Sequence, residues 1–267
     1  MSSPDKHALY QAAVQDPAHD AFLYQSFFKK VRGKEARSLR EDFCGTFVLS
    51  CEWVKSHLEN SSISLDLDPA PLQYGKAHGL LELNEEQRSR VSVLERDVIG
   101  TTPPRDLIIA GNFSFYIFQE RKILLSYFKS CLKSLKIGQG ALILDMVGGP
   151  GMVEKGVETK KVTLPGSGSL KKKFTYFWET KDFDPISSRV NYAIHFKLPN
   201  GRNIKNAFTY DWRLWTIREV RELLAEAGFS KSLVLWDVAR SIHSEKHEIT
   251  ERGANLESWI AYVVGLA

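Results

Sequence analysis

A doubly wound, mostly parallel α/β sheet, with an antiparallel β insertion after its fifth strand, is the fold that this sequence predicts. Three observations carry it. Up to residue 150, short apolar runs of strand length alternate with stretches of helical periodicity, the pattern of successive βαβ units. Residues 39–47, LREDFCGTF, lead from a strand ending in two acids through Cys44-Gly45-Thr46 into a helix. After residue 151 apolar and polar residues alternate instead, and Gly- and Pro-rich turns separate the runs, as in an antiparallel meander.

The elements follow in order. In residues 1–35, Leu9, Ala12 and Ala13 predict a first short helix. Ala21, Tyr24, Phe28 and Val31 recur at helical spacing before Gly33. Strand one covers about 37–43. Phe47, Cys51, Val54 and Leu58 form the buried stripe of a helix over 46–58. Strand two, 62–67, ends at Asp66, and Asp68-Pro69 starts the next helix as N-cap and first-turn proline. The charge run NEEQRSR precedes strand three, which ends at Asp97. Thr101-Thr102-Pro103-Pro104 is a loop before strand four, the continuous apolar run Leu107-Ile108-Ile109-Ala110 of a doubly covered strand. Leu124, Phe128, Cys131 and Leu135 stripe a helix over 119–135, and strand five follows at 141–146. The alternating segments 162–164, 174–179, 190–196 and 207–210 make the meander. Thr216 and Glu219 form a capping box for a helix over 217–227, which Gly228 ends. Residues 232–236 and 258–264 read as the last two strands, with a charged, mobile loop at 240–256 between them.

The first turn has the physics of a nucleotide site. Unpaired N–H groups at a helix start attract polar oxygens, and glycine lets a ligand approach the backbone closely. Asp66 follows Gly45 by 21 positions, where an acid grips a ribose hydroxyl pair in doubly wound folds. Residues 37–146 thereby resemble the core of class I S-adenosylmethionine (SAM)-dependent methyltransferases. The strings REDFCGT, AGNFSFYIF and ILDMVGGPG resemble an uncharacterised bacterial group within that superfamily. The resemblance implies a seven-stranded Rossmann-like sheet and SAM as cofactor. It divides the chain into an N-terminal helical cover (1–35), a cofactor-binding core (36–150), an antiparallel insertion serving as lid, substrate or dimer surface (151–210), and the last helix and strands of the core sheet (211–267).

Aligned with the superfamily's acid-x-Gly-x-Gly-x-Gly pattern, Glu41 takes the acid's place, and Phe43 and Phe47 stand where the outer glycines would be. A side chain at Phe43 crowds a dinucleotide's pyrophosphate, whereas SAM has no phosphate. Glu41 or Asp42 is then expected to hold the methionine amino group; alternatively, both acids serve the following helix. The resemblance implies that Phe43, Cys44, Gly45 and Thr46 form the cofactor turn, Asp66 and Leu67 the ribose side, and Asp97 and Val98 the adenine side, Asp97 alternatively being a helix or turn cap. It implies too that Asn112 and Phe113 lie beside the methyl. Asn112-Phe113-Ser114-Phe115 faintly resembles the Asn-Pro-Pro-aromatic string of amino-group methyltransferases, without its prolines. Ser114, Tyr116, Tyr210, Trp212 and Arg213 are the substrate candidates. Arg213 is expected to bind a substrate carboxylate or to pair with Asp211. Tyr10, Gln15 or Tyr24 is expected to close over the cofactor, or the helices there are plain cover. Asp145 orients a substrate or caps, and His195 is structural.

Composition narrows the remaining classes. The chain has 267 residues, a formal charge of +4 and three cysteines without a CxxC pair. A reduced, cytoplasmic setting is expected. No apolar run reaches the roughly 20 residues of a membrane helix, and a mild charge without a dense basic face disfavours nucleic acid. A small-molecule substrate and a homodimer are the expected partners. Cys44 and Cys51 read as packed hydrophobes rather than nucleophiles. His243 and His247 have helical metal-ligand spacing but no third ligand, so no metal is expected. Two rival functions are a nicotinamide-dependent oxidoreductase on a related fold and a non-catalytic methyltransferase-like binding module.

Overall fold

The computed structural model of the chain describes residues 4–166, 168, 171–237 and 246–267. Five parallel strands form its centre: β1 (Ser38–Asp42), β2 (Ser61–Asp66), β3 (Val91–Glu95), β4 (Leu107–Ala110) and β5 (Ala141–Gly148). The chain also contains a meander, β6 (Gly156–Thr163), β7 (Lys173–Asp184), β8 (Arg189–Lys197) and β9 (Asn203–Arg213). It ends with β10 (Lys231–Asp237), β11 (His247–Ile249) and β12 (Trp259–Leu266). The main sheet runs β11-β10-β12-β5-β4-β1-β2-β3, and β12 enters antiparallel between β5 and β10. The meander is a separate four-stranded sheet in the order β6-β7-β8-β9. Among the described residues the main sheet therefore has the expected seven strands plus β11, a short edge strand in the stretch expected to be a loop. The buried His247 ring packs against Phe27 and Tyr262, so tertiary contact rather than a local pattern creates that strand.

Among the described residues seven α-helices precede or connect these strands: α1 (Lys6–Val14), α2 (Pro17–Arg32), α3 (Val48–Ser56), α4 (Pro69–Ala77), α5 (Glu85–Ser89), α6 (Arg121–Lys133) and α7 (Ile217–Ala227). Their ends follow the chemistry of the sequence. Asp68 caps α4 by accepting from the Ala70 N–H, Thr216 and Glu219 cap α7 reciprocally, and Gly228 ends α7 at φ 102°.

Strand alternation divides the core into two layers. Leu39, Ile109 and Ile143 face α2 and α3, whereas Ile108, Ala110, Leu142 and Leu144 face α6 and α7. Helix α1 packs elsewhere: its Leu9 and Ala13 join Val162, Phe174, Ile194 and Phe196 of the meander. It thus bridges the insertion and the core. The main sheet reverses its order between β1 and β4, and ligands in open α/β sheets bind beyond the strand C-termini at such a point. At the opposite end, Asp106 accepts from the Ser38 N–H (2.9 Å) and from Lys136 (2.9 Å), fastening the strands there. No helix among the described residues is long and apolar enough to cross a membrane.

Candidate functional site at the carboxyl end of the parallel strands

The turn after β1 keeps a glycine-type backbone without most of the glycines. Phe43 (φ 55°), Gly45 (φ 53°) and Phe47 (φ 47°) all adopt the left-handed region, at the three positions where the superfamily pattern has Gly. For a side-chain-bearing residue this costs roughly 1–2 kcal/mol each, and packing offsets it. Phe47 is fully buried, and Phe43 meets the rings of Phe118 (5.6 Å) and Tyr127 (5.9 Å). Gly75 of α4 permits the closest approach: a Cβ there would lie 2.5 Å from both the Phe47 ring and the Thr46 carbonyl. Gly75→Ala is therefore expected to destabilise the fold by about 1–3 kcal/mol, read by urea unfolding. Above Gly45, by contrast, an added Cβ would meet nothing within 4 Å, so the turn is open to a ligand on that side.

Asp66 closes the turn. Its carboxylate accepts from the Gly45 N–H (2.8 Å) through one oxygen and from the Asp68 N–H (2.9 Å) through the other. Each carboxylate oxygen has two acceptor sites, so capacity remains for a pair of hydroxyls. The neighbouring Leu67 is 64% exposed, an apolar surface at the strand end against which a flat ring can pack. Asp97 is exposed and accepts from the Ile99 N–H (2.8 Å), while Val98 is buried in the core. The Asp97 loop is held from below by Arg40, whose guanidinium donates to the Val98 carbonyl (2.5 Å) and the Gly100 carbonyl (3.1 Å). Sequence reading missed this contribution; the signal is an arginine in the middle of a strand buried on both faces.

Glu41 and Asp42 point to opposite faces. Glu41 accepts from the Ser50 N–H (3.0 Å) and hydroxyl (2.5 Å) at the start of α3. Asp42 lies in the other layer, paired with Arg40 (2.6 Å) and accepting from the Tyr127 hydroxyl (2.8 Å). Burial opposes the Arg40 charge, but Asp42 beside it more than offsets this and holds the guanidinium pKa above its usual value. Of the two readings, service to the helix matches the Glu41 contacts. Asp42 is enclosed with Arg40.

Burial pushes the Glu41 carboxyl up to about 8, against the pull of the Ser50 hydrogen bonds. A raised carboxyl favours folding fully below its ordinary value of 4.5 and loses that contribution as pH rises through the folded value. Stability is thus expected to fall from pH 5 to pH 8. Glu41→Gln should flatten that dependence by on the order of 3 kcal/mol, measured by denaturant unfolding across the range.

The turn after β4 repeats the left-handed geometry, at Asn112 (φ 55°) and Phe113 (φ 58°). Both main-chain N–H groups donate to Asp145 on β5, at 2.7 and 2.8 Å. The Ser114 hydroxyl turns back to the Gly111 carbonyl (2.7 Å). Tyr116 is fully buried and donates to the Val147 carbonyl (2.8 Å), so its hydroxyl does not face a ligand.

The meander brings an aromatic wall to this turn. Trp212 meets Phe113 (6.4 Å) and Tyr210 (4.7 Å), and Trp178 lies 5.8 Å from Tyr210. Arg213 is occupied elsewhere: it stacks on Trp215 (3.6 Å), pairs with Glu219 (3.2 Å) and donates to the Gln119 carbonyl (2.9 Å). Asp211 pairs with Arg189 instead of Arg213.

Helix α1 touches both halves. Gln11, which sequence reading passed over in favour of its neighbours, donates to the Thr46 hydroxyl (2.7 Å). Tyr10 hydrogen-bonds Tyr210, and burial raises its pKa to about 12. The Tyr24 hydroxyl reaches the Gly111 backbone, where an added Cβ would lie 3.1 Å away. His195 is held between Glu179 (3.0 Å) and the Asn206 N–H (2.8 Å), consistent with a structural role. Cys44, Cys51 and Cys131 are buried and free. His243 lies outside the described residues. Among the described residues no group of three or more His, Cys, Asp or Glu is placed to hold a metal ion.

No protein-family model and no curated protein sequence matches the chain. Solved structures do. The sugar N-methyltransferase KedS8 from Streptoalloteichus sp ATCC 53650 superposes with a TM-score of 0.69 at 18% identity, covering 100% of this chain and 94% of that one. SAM-bound CalS10, an amino pentose methyltransferase from Micromonospora echinaspora, gives 0.71 at 12% identity over 99% and 98%. A SAM-dependent methyltransferase from Clostridium acetobutylicum ATCC 824 gives 0.67 at 15% identity over 97% of each chain. With a doubly wound sheet, an acid closing the first turn and a separate antiparallel sheet after β5, the chain has the fold of class I SAM-dependent methyltransferases.

Proposed function

We propose that this protein transfers a methyl group from SAM to a small molecule, with an amine nitrogen as the acceptor atom. The observation that carries the reading is a convergence at the β1/β4 switch point. The open turn at Gly45, closed by Asp66, adjoins the β4 turn, whose Phe113 meets the aromatic wall of the meander. The donor set fits SAM. Asp66 retains acceptor sites for ribose hydroxyls, Leu67 offers an apolar face for the adenine, and Asp97 stands at the adjoining loop. Phe43, left-handed and only half-buried, carries a phenyl group where a glycine would let a pyrophosphate approach, which suits a ligand without one better than a dinucleotide.

When bound, SAM supplies an electrophilic methyl on a sulfonium. The chain's part is alignment and exclusion of water. Asn112 and Phe113, fixed by Asp145, hold the site between cofactor and acceptor. Trp178, Tyr210 and Trp212 exclude water there and favour a positive charge at their faces, which suits an amine that becomes cationic on methylation. The names of the similar structures, a sugar N-methyltransferase and an amino pentose methyltransferase, support an amino sugar or a related amine.

The test is an incubation with SAM and a panel of amino sugars and other small amines. Formation of S-adenosylhomocysteine is followed together with a product heavier by one methyl. Turnover confined to amines is expected. Turnover only on hydroxyl or carbon acceptors would overturn the amine assignment.

A further inference from the structure

Asp145 interrupts an otherwise apolar strand, and its surroundings show what an acid does there. β5 is buried along nearly its whole length, and Asp145 lies on the face shared with Glu41. Its two oxygens divide their work: Oδ2 accepts from the Asn112 N–H at 2.7 Å and Oδ1 from the Phe113 N–H at 2.8 Å. Two successive N–H groups converge on one carboxylate because Asn112 and Phe113 are both left-handed, a shape that asparagine tolerates but phenylalanine seldom adopts alone. Such charge-assisted hydrogen bonds are about twice as strong as neutral ones. Asp20 on α2 is the charged group whose field opposes the carboxylate. The hydroxyls of Tyr24 on α2, Tyr10 on α1, Tyr116 in the β4 turn and Tyr262 on β12 face it as neutral phenols, whose own ionisation the carboxylate opposes, and Glu41 acts on Tyr24 in the same sense.

Resting on the methyltransferase reading for its catalytic consequence, we infer that Asp145 is a positioning residue. Its ionised carboxylate clamps the Asn112–Phe113 turn in the left-handed shape, and its protonation weakens one of the two clamps.

The reason is acceptor strength. The carboxylate offers a charged acceptor oxygen to each N–H, whereas a carboxylic acid turns one of them into a neutral hydroxyl, a poorer acceptor with one site taken by its own proton. Burial, only partly opposed by the two N–H groups, brings the carboxyl up to about 7, so the change falls in the working range of an enzyme. Opposite signs then separate clamp from stability. The turn tightens as pH rises through 7, while the carboxyl's contribution to folding, complete below its ordinary value of 3.8, is lost over the same rise.

The test reads the clamp in the protein without cofactor, by the amide proton shifts of Asn112 and Phe113 from pH 5 to pH 9. In the wild type both resonances should move together, with one midpoint near the Asp145 value and downfield toward high pH. Asp145→Asn, which keeps the shape but puts an NH2 against one N–H, should abolish that titration. Asp145→Glu, which keeps two acceptors, should restore it in part. In the methyl-transfer assay Asp145→Asn should lower kcat by roughly 100-fold, with a smaller change in KM. Amide shifts independent of pH in a folded wild type would overturn the clamp. So would an Asp145→Asn protein with wild-type kcat. A wild type whose amides titrate but which binds no SAM would overturn the methyltransferase reading and leave the clamp standing.

Discussion

Arg40→Ala is expected to destabilise the protein by about 3–5 kcal/mol, because it leaves the Asp42 carboxylate buried without its partner. Arg40 is itself fully buried and joins four groups: Asp42, the Val98 and Gly100 carbonyls and the Ser134 hydroxyl. Urea unfolding measures the loss. The double replacement Arg40→Met with Asp42→Leu should recover much of it, since an apolar pair of similar size replaces a buried ion pair at little cost. The two experiments also separate stability from function. If Arg40 fixes the Asp97 loop, the double variant folds but binds SAM weakly, because the Val98 and Gly100 carbonyls have lost their donor. Wild-type affinity in a stable double variant would show that the loop holds its shape without Arg40.

Asp66→Ala should weaken SAM binding by roughly 100-fold, the loss of two hydrogen bonds to a charged acceptor. The effect has two sources. In the proposed site the ribose hydroxyls would lose their acceptor, and the Gly45 N–H loses its bond to the carboxylate. Asp66→Asn separates them: an amide oxygen can still accept from Gly45, but only one oxygen remains. An intermediate affinity for Asp66→Asn is expected by calorimetry. Equal losses in the two variants would assign the whole effect to the charge.

The architecture was legible because it rests on local patterns. The apolar run at 107–110, the stripe at 124, 128, 131 and 135, and the capping box at 216 and 219 each answer to one short-range rule. The link between the turn at 43–47 and the distant Asp66 was legible from their spacing, and the fold joins Gly45 to Asp66 by one hydrogen bond. What stayed hidden depends on direction and on partners. Adjacent strand residues point to opposite faces, so Glu41 and Asp42, equivalent by sequence, end in different layers with Ser50 and Arg40 respectively. Arg213 looked free for a substrate because Glu219, Trp215 and Gln119 meet it only in the folded chain. Gln11 gave no signal because its partner, Thr46, is 35 residues away. Likewise, Asp145 gains its meaning only from the backbone shape of residues 112 and 113.

Isothermal titration of the intact chain with SAM, with NAD as a control, tests most directly the proposed SAM site at the carboxyl end of β1, β2 and β4. Saturable binding of SAM with one site per chain, and no heat from NAD, is the predicted result. Binding of NAD without SAM, or a folded protein that binds neither alone nor in the presence of amine acceptors, would contradict it.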